Sequence, residues 1–451
     1  MSKTFRPYDP EQIFLMPAAL SDWLPKEHLA YFISDIVDHL DLRAIMSRYE
    51  EEKGYPPYHP AMMVKVLLYA YCIGVPSSRK IEKRLCEDIA FRVLAANNTP
   101  DFRTISDFRK DHLKALAGLF LQALKLCRQA GLVKLGHVAL DGTKIKANAS
   151  KHKAMSYKRM KEEEARLEAE IAVLLKQAQQ TDEEEDVHYG KDKRGDELPK
   201  ELAFRESRLK KIQEAKQALE EEAKAEAEAA AAANKKHSGV PEDKAQRNFT
   251  DPESHIMPAP GGKHFVQAYN AQAAVDSVCQ VIVAAEVTNQ PSDRGQAEPM
   301  MEIVKANTGQ LPRQMSADAG YYSNDTVQNL TSAGIDVYMP PDKIGHRASL
   351  PPAPRGRIPK NLSTAERMRR KLHTKKGRQS YGLRKILPEP VFGQIKQARG
   401  FNQFLLRGED KANSEWKVIC AGHNLLKLFG ACNAGLIGRS ASGEWRQIPA
   451  A

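Results

Sequence analysis

Between residues 26 and 131 the hydrophobic residues recur at helical spacing. HPAMMVKVLLYAYCIG (59–74) is a strongly apolar helical run that stops at Gly74. PSSRKIEKRLCEDIAFRVLAA (76–96) begins behind a proline with two serines able to cap a helix. TPDFRTISDFRKDH (99–112) predicts a turn and a short basic helix, and LKALAGLFLQALKLCRQAG (113–131) closes the set at Gly131. Short helices joined by tight turns, one of them basic, suit a helix-turn-helix. Residues 1–25 are Pro-rich and predict an irregular arm.

The period then changes twice. Residues 155–249 carry heptad-like stripes on charged helices: Met160, Leu167 and Leu174 in one stretch, then Leu202 with Leu209 and Ile212 with Leu219. Between the stripes lies TDEEEDVHYGKDKRGDE, polar and Gly-bearing. The segment predicts an antiparallel helical hairpin with a loose tip, leaving through an alanine run and a linker. Strand-like runs flank this insert. GHVALDGTKIKANAS (136–150) opens with a strand ending in Asp141. HFVQAYNAQAAVD and QVIVAAEVT follow as a strand pair, then a helix over 292–309 with Asp293 as its cap, and a strand, RQMSADAGYYS, ending in Asp318. A helix (324–334), a strand (335–340) and a mostly helical unit to 433 complete the chain before a tail at 434–451, expected to be flexible.

Composition adds a partner class. With 68 basic and 57 acidic residues the chain carries a net charge of +11, which favours a polyanion, nucleic acid first. Between Arg355 and Lys385 twelve Lys or Arg residues face one acid, Glu366, a density suited to a phosphate backbone. The six cysteines have no metal spacing and are read as buried thiols of a reducing compartment. No run is long and apolar enough to span a membrane, so a cytoplasmic protein, associated with the nucleoid when bound to DNA, is expected.

The order of elements, with the insert set aside, is that of an RNase H-like sheet: three antiparallel strands followed by two parallel ones. There the first and fourth strands are neighbours, so Asp141 and Asp318 would lie side by side. Two adjacent carboxylates are costly to ionise together. A divalent metal relieves that cost, and two such ions can activate a water and stabilise a leaving oxygen in phosphodiester cleavage. A third carboxylate is then needed. YGLRKILPEPVFGQIK (381–396) supplies Glu389, which at 100° per residue would share a helix face with Lys396. Pro388 is tolerated if the helix starts near 387, with Tyr381 and Arg384 on the approach; otherwise it kinks the helix and misaims Glu389.

Four motifs in this order carry a resemblance. ALDGTKIKANAS, the strands from DPESHIMPAPGGKHFVQAYNAQAAVD to VIVAAEVTNQPSDRGQ, SADAGYYS, and YGLRKILPEPVFGQIKQARGFNQFLLRG resemble a DDE transposase of bacterial insertion sequences. The resemblance implies an α/β RNase H-like catalytic domain (132–154 and 250–433, a mixed five-stranded sheet flanked by helices). It also implies an all-α N-terminal DNA-binding domain (26–131) and a coiled-coil insertion (155–249) after the first catalytic strand. The implied activity is Mg²⁺-dependent cleavage at element ends and strand transfer into target DNA. Two Mg²⁺ ions, replaceable by Mn²⁺, would be held by Asp141, Asp318 and Glu389. Tyr381, Arg384 and Lys396 would steady phosphates. Lys144, Lys146 and Asn148, just after Asp141, are local additions as backbone-phosphate contacts. The expected partners are terminal inverted repeats and target DNA, with a homodimer in the active complex. The alternative is a catalytically inactive DNA-binding relative, either a decayed copy or a regulator.

Overall fold

The computed structural model describes residues 20–49, 57–189, 200–232, 238–259, 264–342, 352–354, 356, 359, 361–439 and 445–448. The N-terminal arm lies mostly outside these residues.

Among the described residues seven α-helices come first: α1 (Leu29–Asp38), α2 (Arg43–Met46), α3 (Pro60–Cys72), α4 (Ser78–Glu87), α5 (Ile89–Leu94), α6 (Phe102–Asp111) and α7 (Leu113–Gln129). Pro60 sits in the first turn of α3, where its missing N–H costs nothing. Asp101 caps α6 by accepting from the Thr104 N–H at 2.7 Å. Most of α3, from Met63 to Cys72, is buried, which requires partners on several sides.

β1 (His137–Lys146) runs through the core and leads to β2 (Ala154–Ser156). α8 (Tyr157–Tyr189) and α9 (Lys200–Ala232) form the insert, and β3 (Gln246–Asn248) returns beside β2, so that a small antiparallel ladder closes its base. The heptad stripes meet: Met160 and Leu167 pack with Ile212 and Leu219 in a hydrophobic cluster separate from the main core. α8 continues through 181–189, part of the stretch expected to be loose, and α9 takes in the alanine run expected in the linker. Glutamate, glutamine and above all alanine are strong helix formers, so neither stretch breaks the helix it extends.

β4 (His255–Pro258), β5 (Phe265–Asp276), β6 (Ile282–Thr288), β7 (Gln314–Ser316) and β8 (Asp336–Tyr338) complete the main sheet, with α10 (Ala297–Thr308) and α11 (Asn324–Ser332) between them. β5 pairs antiparallel with β6 and β1, and β1, β7 and β8 run parallel. The order β6-β5-β1-β7-β8 is thus a mixed sheet. It has six strands rather than the five expected, because β4 pairs with the first residues of β5 on the edge that β6 shares further along.

The C-terminal unit comprises α12 (Thr364–His373), α13 (Lys375–Ile386), α14 (Pro388–Gly393), a π turn (Gln394–Ala398) and α15 (Glu409–Asn433). α15 joins the two halves of the molecule. The Cys72 thiol donates to the Gly422 carbonyl and the Cys127 thiol to that of Asn424, while Asn424 brackets β6 through the Ile282 N–H and carbonyl. One continuous core therefore runs from α1 to β8. Cys72, Cys127 and Cys420 are buried thiols, whereas Cys86 is exposed. Ile437–Arg439 and Trp445–Gln447 pair antiparallel, and Trp445 packs 5.9 Å from the Phe32 ring, so these tail residues are anchored by an aromatic side chain. Among the described residues no helix is long and apolar enough to cross a membrane.

Candidate active site

β1 and β7 set two carboxylates in register. Their last parallel pair is Ala139 with Ser316, and Asp141 and Asp318 each stand two residues beyond it. Adjacent strands are about 4.8 Å apart, and Asp141 feels the charge of Asp318. Asp141 accepts from the Gly142 N–H at 2.9 Å, and Asp318 caps a short 3₁₀ turn by accepting from the Gly320 N–H at 2.8 Å. Burial, first of all, pushes the Asp141 carboxyl up to about 7; Arg384 holds it down, and Asp318 and Asp293 raise it further.

Glu389 comes from α14. Pro388 is its first residue, so the proline lies where no backbone donor is lost. α13 ends at Ile386, which leaves Tyr381 and Arg384 on a separate helix. Arg384 links the acids: Nη1 lies 3.4 Å from Asp141 Oδ2 and Nη2 lies 3.6 Å from Glu389 Oε1. The guanidinium sits 6.0 Å from the Tyr381 ring, which is itself half-buried beside the acids. Lys396 lies in the π turn, which departs from the 100° count, and its ammonium donates to Thr143 Oγ1 and to the Lys144 carbonyl, both at 3.0 Å.

The three residues added from the local sequence have different settings. Lys144 is mostly buried, 3.5 Å from Asp293 Oδ1, and burial lowers its pKa. Lys146 is exposed, while its backbone pairs with the loop after the π turn. Asn148 donates to the Leu405 carbonyl at 2.7 Å and holds that same loop. Thr143, Lys144, Lys146 and Lys396 line a cleft of about 390 Å³ along β1.

Sequence reasoning missed Asp293, read as a helix cap. Its Oδ1 accepts from Asn270 Nδ2 at 2.6 Å and from Gln272 Nε2 at 2.9 Å. The available signal was polar residues two apart in the otherwise apolar β5, which places both on one face of a buried strand.

The donors here are carboxylate oxygens, the chemistry of a hard divalent cation. Among the described residues no three acidic, histidine or cysteine side chains already enclose one point. Arg384, between Asp141 and Glu389, holds the place of a positive charge. The donor set thus fits a cation, on condition that Arg384 gives way.

The strand expected to end at Asp141 runs on to Lys146, because β5 pairs with it over that whole length, so Asp141 stands mid-strand and Asp318 just past the end of β7. A carboxylate pair on neighbouring strands, beside basic helices, is consistent with a nuclease-like α/β site. Family models agree: residues 18–111 match a transposase domain (DUF772) and residues 357–429 match a transposase DDE domain. Both matches are to transposase domains, consistent with a DNA transposase of the DDE, insertion-sequence type. No curated protein and no solved structure matches it.

Proposed function

We propose that this chain is the transposase of an insertion sequence, built on an RNase H-like catalytic domain, and that it binds terminal inverted repeats, cuts phosphodiesters at the element ends and joins the freed 3′-OH to target DNA. The observation that carries this reading is that Asp141 and Asp318 each follow the last parallel pair of β1 and β7 by two residues, with Arg384 reaching from Asp141 to Glu389.

Asp141, Asp318 and Glu389 would hold two Mg²⁺ ions, or Mn²⁺ in their place; when bound, such ions supply an activated nucleophile and stabilise the leaving oxygen. The protein's own groups do the rest. Arg384, freed from the carboxylates, offers a planar fork to a phosphate. Tyr381 orients that fork, and the lysine-lined cleft beside β1 receives the backbone. The basic helices α12 and α13 extend the track. Strand transfer exchanges one phosphodiester for another and so needs no nucleotide hydrolysis. A homodimer would bring two ends together.

The test is cleavage and joining of DNA carrying the element's own ends with Mg²⁺, together with a gel shift on the same DNA. Asp141→Asn, Asp318→Asn and Glu389→Gln should each abolish cutting by at least a hundredfold and retain end binding. Cutting at the wild-type rate by any of the three would overturn the assignment.

A further inference from the structure

We propose that Asp293 is a positioning residue of the acid site, the node that holds β1, β5 and the Asp318 turn in one arrangement. The inference rests on the reading of Asp141 and Asp318 as cation ligands.

Side chains alternate across a strand, so Asp141 and Thr143 share one face of β1 while Gly142 and Lys144 share the other. Arg384 and Lys396 meet the first face. Asp293 meets the second, where the register sets Gly142 against Gln272 and Lys144 against Asn270. Two strands reach its carboxylate directly, and the Asp318 turn reaches it through Gln272. From β1 comes the Lys144 ammonium at 3.5 Å. From β5 come the amides of Asn270 and Gln272 at 2.6 and 2.9 Å. From the Asp318 turn comes Tyr321, whose hydroxyl donates to Gln272 Oε1. Asn270, Gln272 and Tyr321 are all at most 1% exposed, so each of these polar groups depends on its partner.

One glycine makes the approach possible. A Cβ at Gly142 would lie 2.8 Å from Asp293 Oδ1 and 2.4 Å from Gln272 Nε2. A Cβ at Gly320 would lie 3.6 Å from Asp293 Oδ2 and 3.0 Å from Asp318 Oδ1. Gly142, the residue after Asp141, thus leaves room for this carboxylate, whereas a Cβ at Gly320 would only touch it. A helix cap would need none of these contacts, and Asp293 caps nothing by side chain: α10 has no side-chain cap.

The test is a Mn²⁺ titration of the full chain without DNA, with free Mn²⁺ read by electron paramagnetic resonance. Wild type should bind, and Asp141→Asn should bind at least tenfold more weakly. If Asp141→Asn binds as wild type, the cation-site reading itself fails. Asp293→Ala should weaken binding at least tenfold. Asp293→Asn, which keeps the accepting oxygen, should stay within threefold of wild type. The positioning role is overturned if Asp293→Ala stays within twofold of wild type while Asp141→Asn is impaired, or if Asp293→Asn is as weak as Asp293→Ala. Should Asp293→Ala not fold, Tyr321→Phe removes only the far link of the chain. It should weaken Mn²⁺ binding at least threefold with its melting midpoint within a few degrees of wild type, and unchanged binding would overturn the proposal.

Discussion

Nη1 of Arg384 lies 3.4 Å from Oδ2 of Asp141, and both side chains are largely withdrawn from solvent, at 15% and 17% exposure. An arginine so placed is an internal counter-ion, and a cation entering the site competes with it. Arg384→Gln should therefore raise the Mn²⁺ affinity of the DNA-free protein by roughly threefold to tenfold, since a partly buried ion pair is worth about 1 kcal/mol. The same substitution should reduce DNA cleavage. A Mn²⁺ titration that moves the other way would show that the guanidinium supports the site rather than occupying it.

The proline before Glu389 makes a separate prediction. At the first position of α14 it spares no hydrogen bond and breaks none. Pro388→Ala should shift stability by less than about 1 kcal/mol and leave cleavage within a few-fold of wild type. Urea denaturation and the cleavage assay check it together. A loss of several kcal/mol would mean that the proline ring sets the break between α13 and α14.

Glu415 ties pH to stability away from the site. It is fully buried on α15 and accepts from the N–H groups of Leu405 and Leu406, at 3.0 Å each for Oε2, and burial raises its pKa to about 7. In an unfolded chain a glutamate titrates near 4.3. Between these values the folded state holds a proton that the unfolded state has lost, so stability from this group falls as pH rises from about 4 to 7. The swing is up to about 4 kcal/mol on that basis. Glu415→Gln removes it. The difference in melting midpoint between wild type and variant should grow in favour of wild type as pH is lowered from 7 to 4.5, and a pH-independent difference refutes it.

Gly74 guards the joint between the helical half and the catalytic half. It sits at φ +77°, and a Cβ there would lie 2.3 Å from the carbonyl oxygen of Arg399. Gly74→Ala meets both a strained backbone and an immovable neighbour, so it should cost upwards of about 2 kcal/mol. Gly118→Ala is the control. Gly118 is exposed within α7 with nothing near its missing Cβ, and alanine there should add about 0.5–1 kcal/mol.

The helical insert should be removable. Its hydrophobic cluster is its own, and the β2–β3 ladder pairs Ser156 with Gln246 directly across its base. Joining those two residues by an Asn-Gly turn replaces residues 157–245 with a tight hairpin. The shortened chain should melt in one cooperative transition near the wild-type midpoint by circular dichroism. Loss of that transition would mean that α8 and α9 support the main core.

What could be read from the sequence follows from how local each signal is. Asp141 and Asp318 were legible because each ends an apolar run, and strand order then makes them neighbours. The start of α14 was legible because a proline dictates it. Asp293 was not, because its partners Asn270, Gln272 and Lys144 come from two other strands, and a lone acid before a helix has a simpler local reading. The π turn at 394–398 left no mark in the sequence, since its residues read as a continuation of an ordinary helix. The union of α3, α7 and α15 into one core left no local mark either. It shows only as the burial of α3 on nearly all sides, which the apolar run hinted at without naming the partner.

The β2–β3 ladder has a bearing on how the chain assembles. β1 must find β5 across the whole insert, a contact between distant parts of the chain that is slow to form by random search. α8 and α9 meet locally, and once they close, the ladder brings the ends of the excursion together. The remaining loop is then roughly a quarter as long, which lowers the entropy cost of closing it by about 1 kcal/mol. During synthesis the insert can zip up before β5 leaves the ribosome, so the central strand waits beside the place where its partner will arrive.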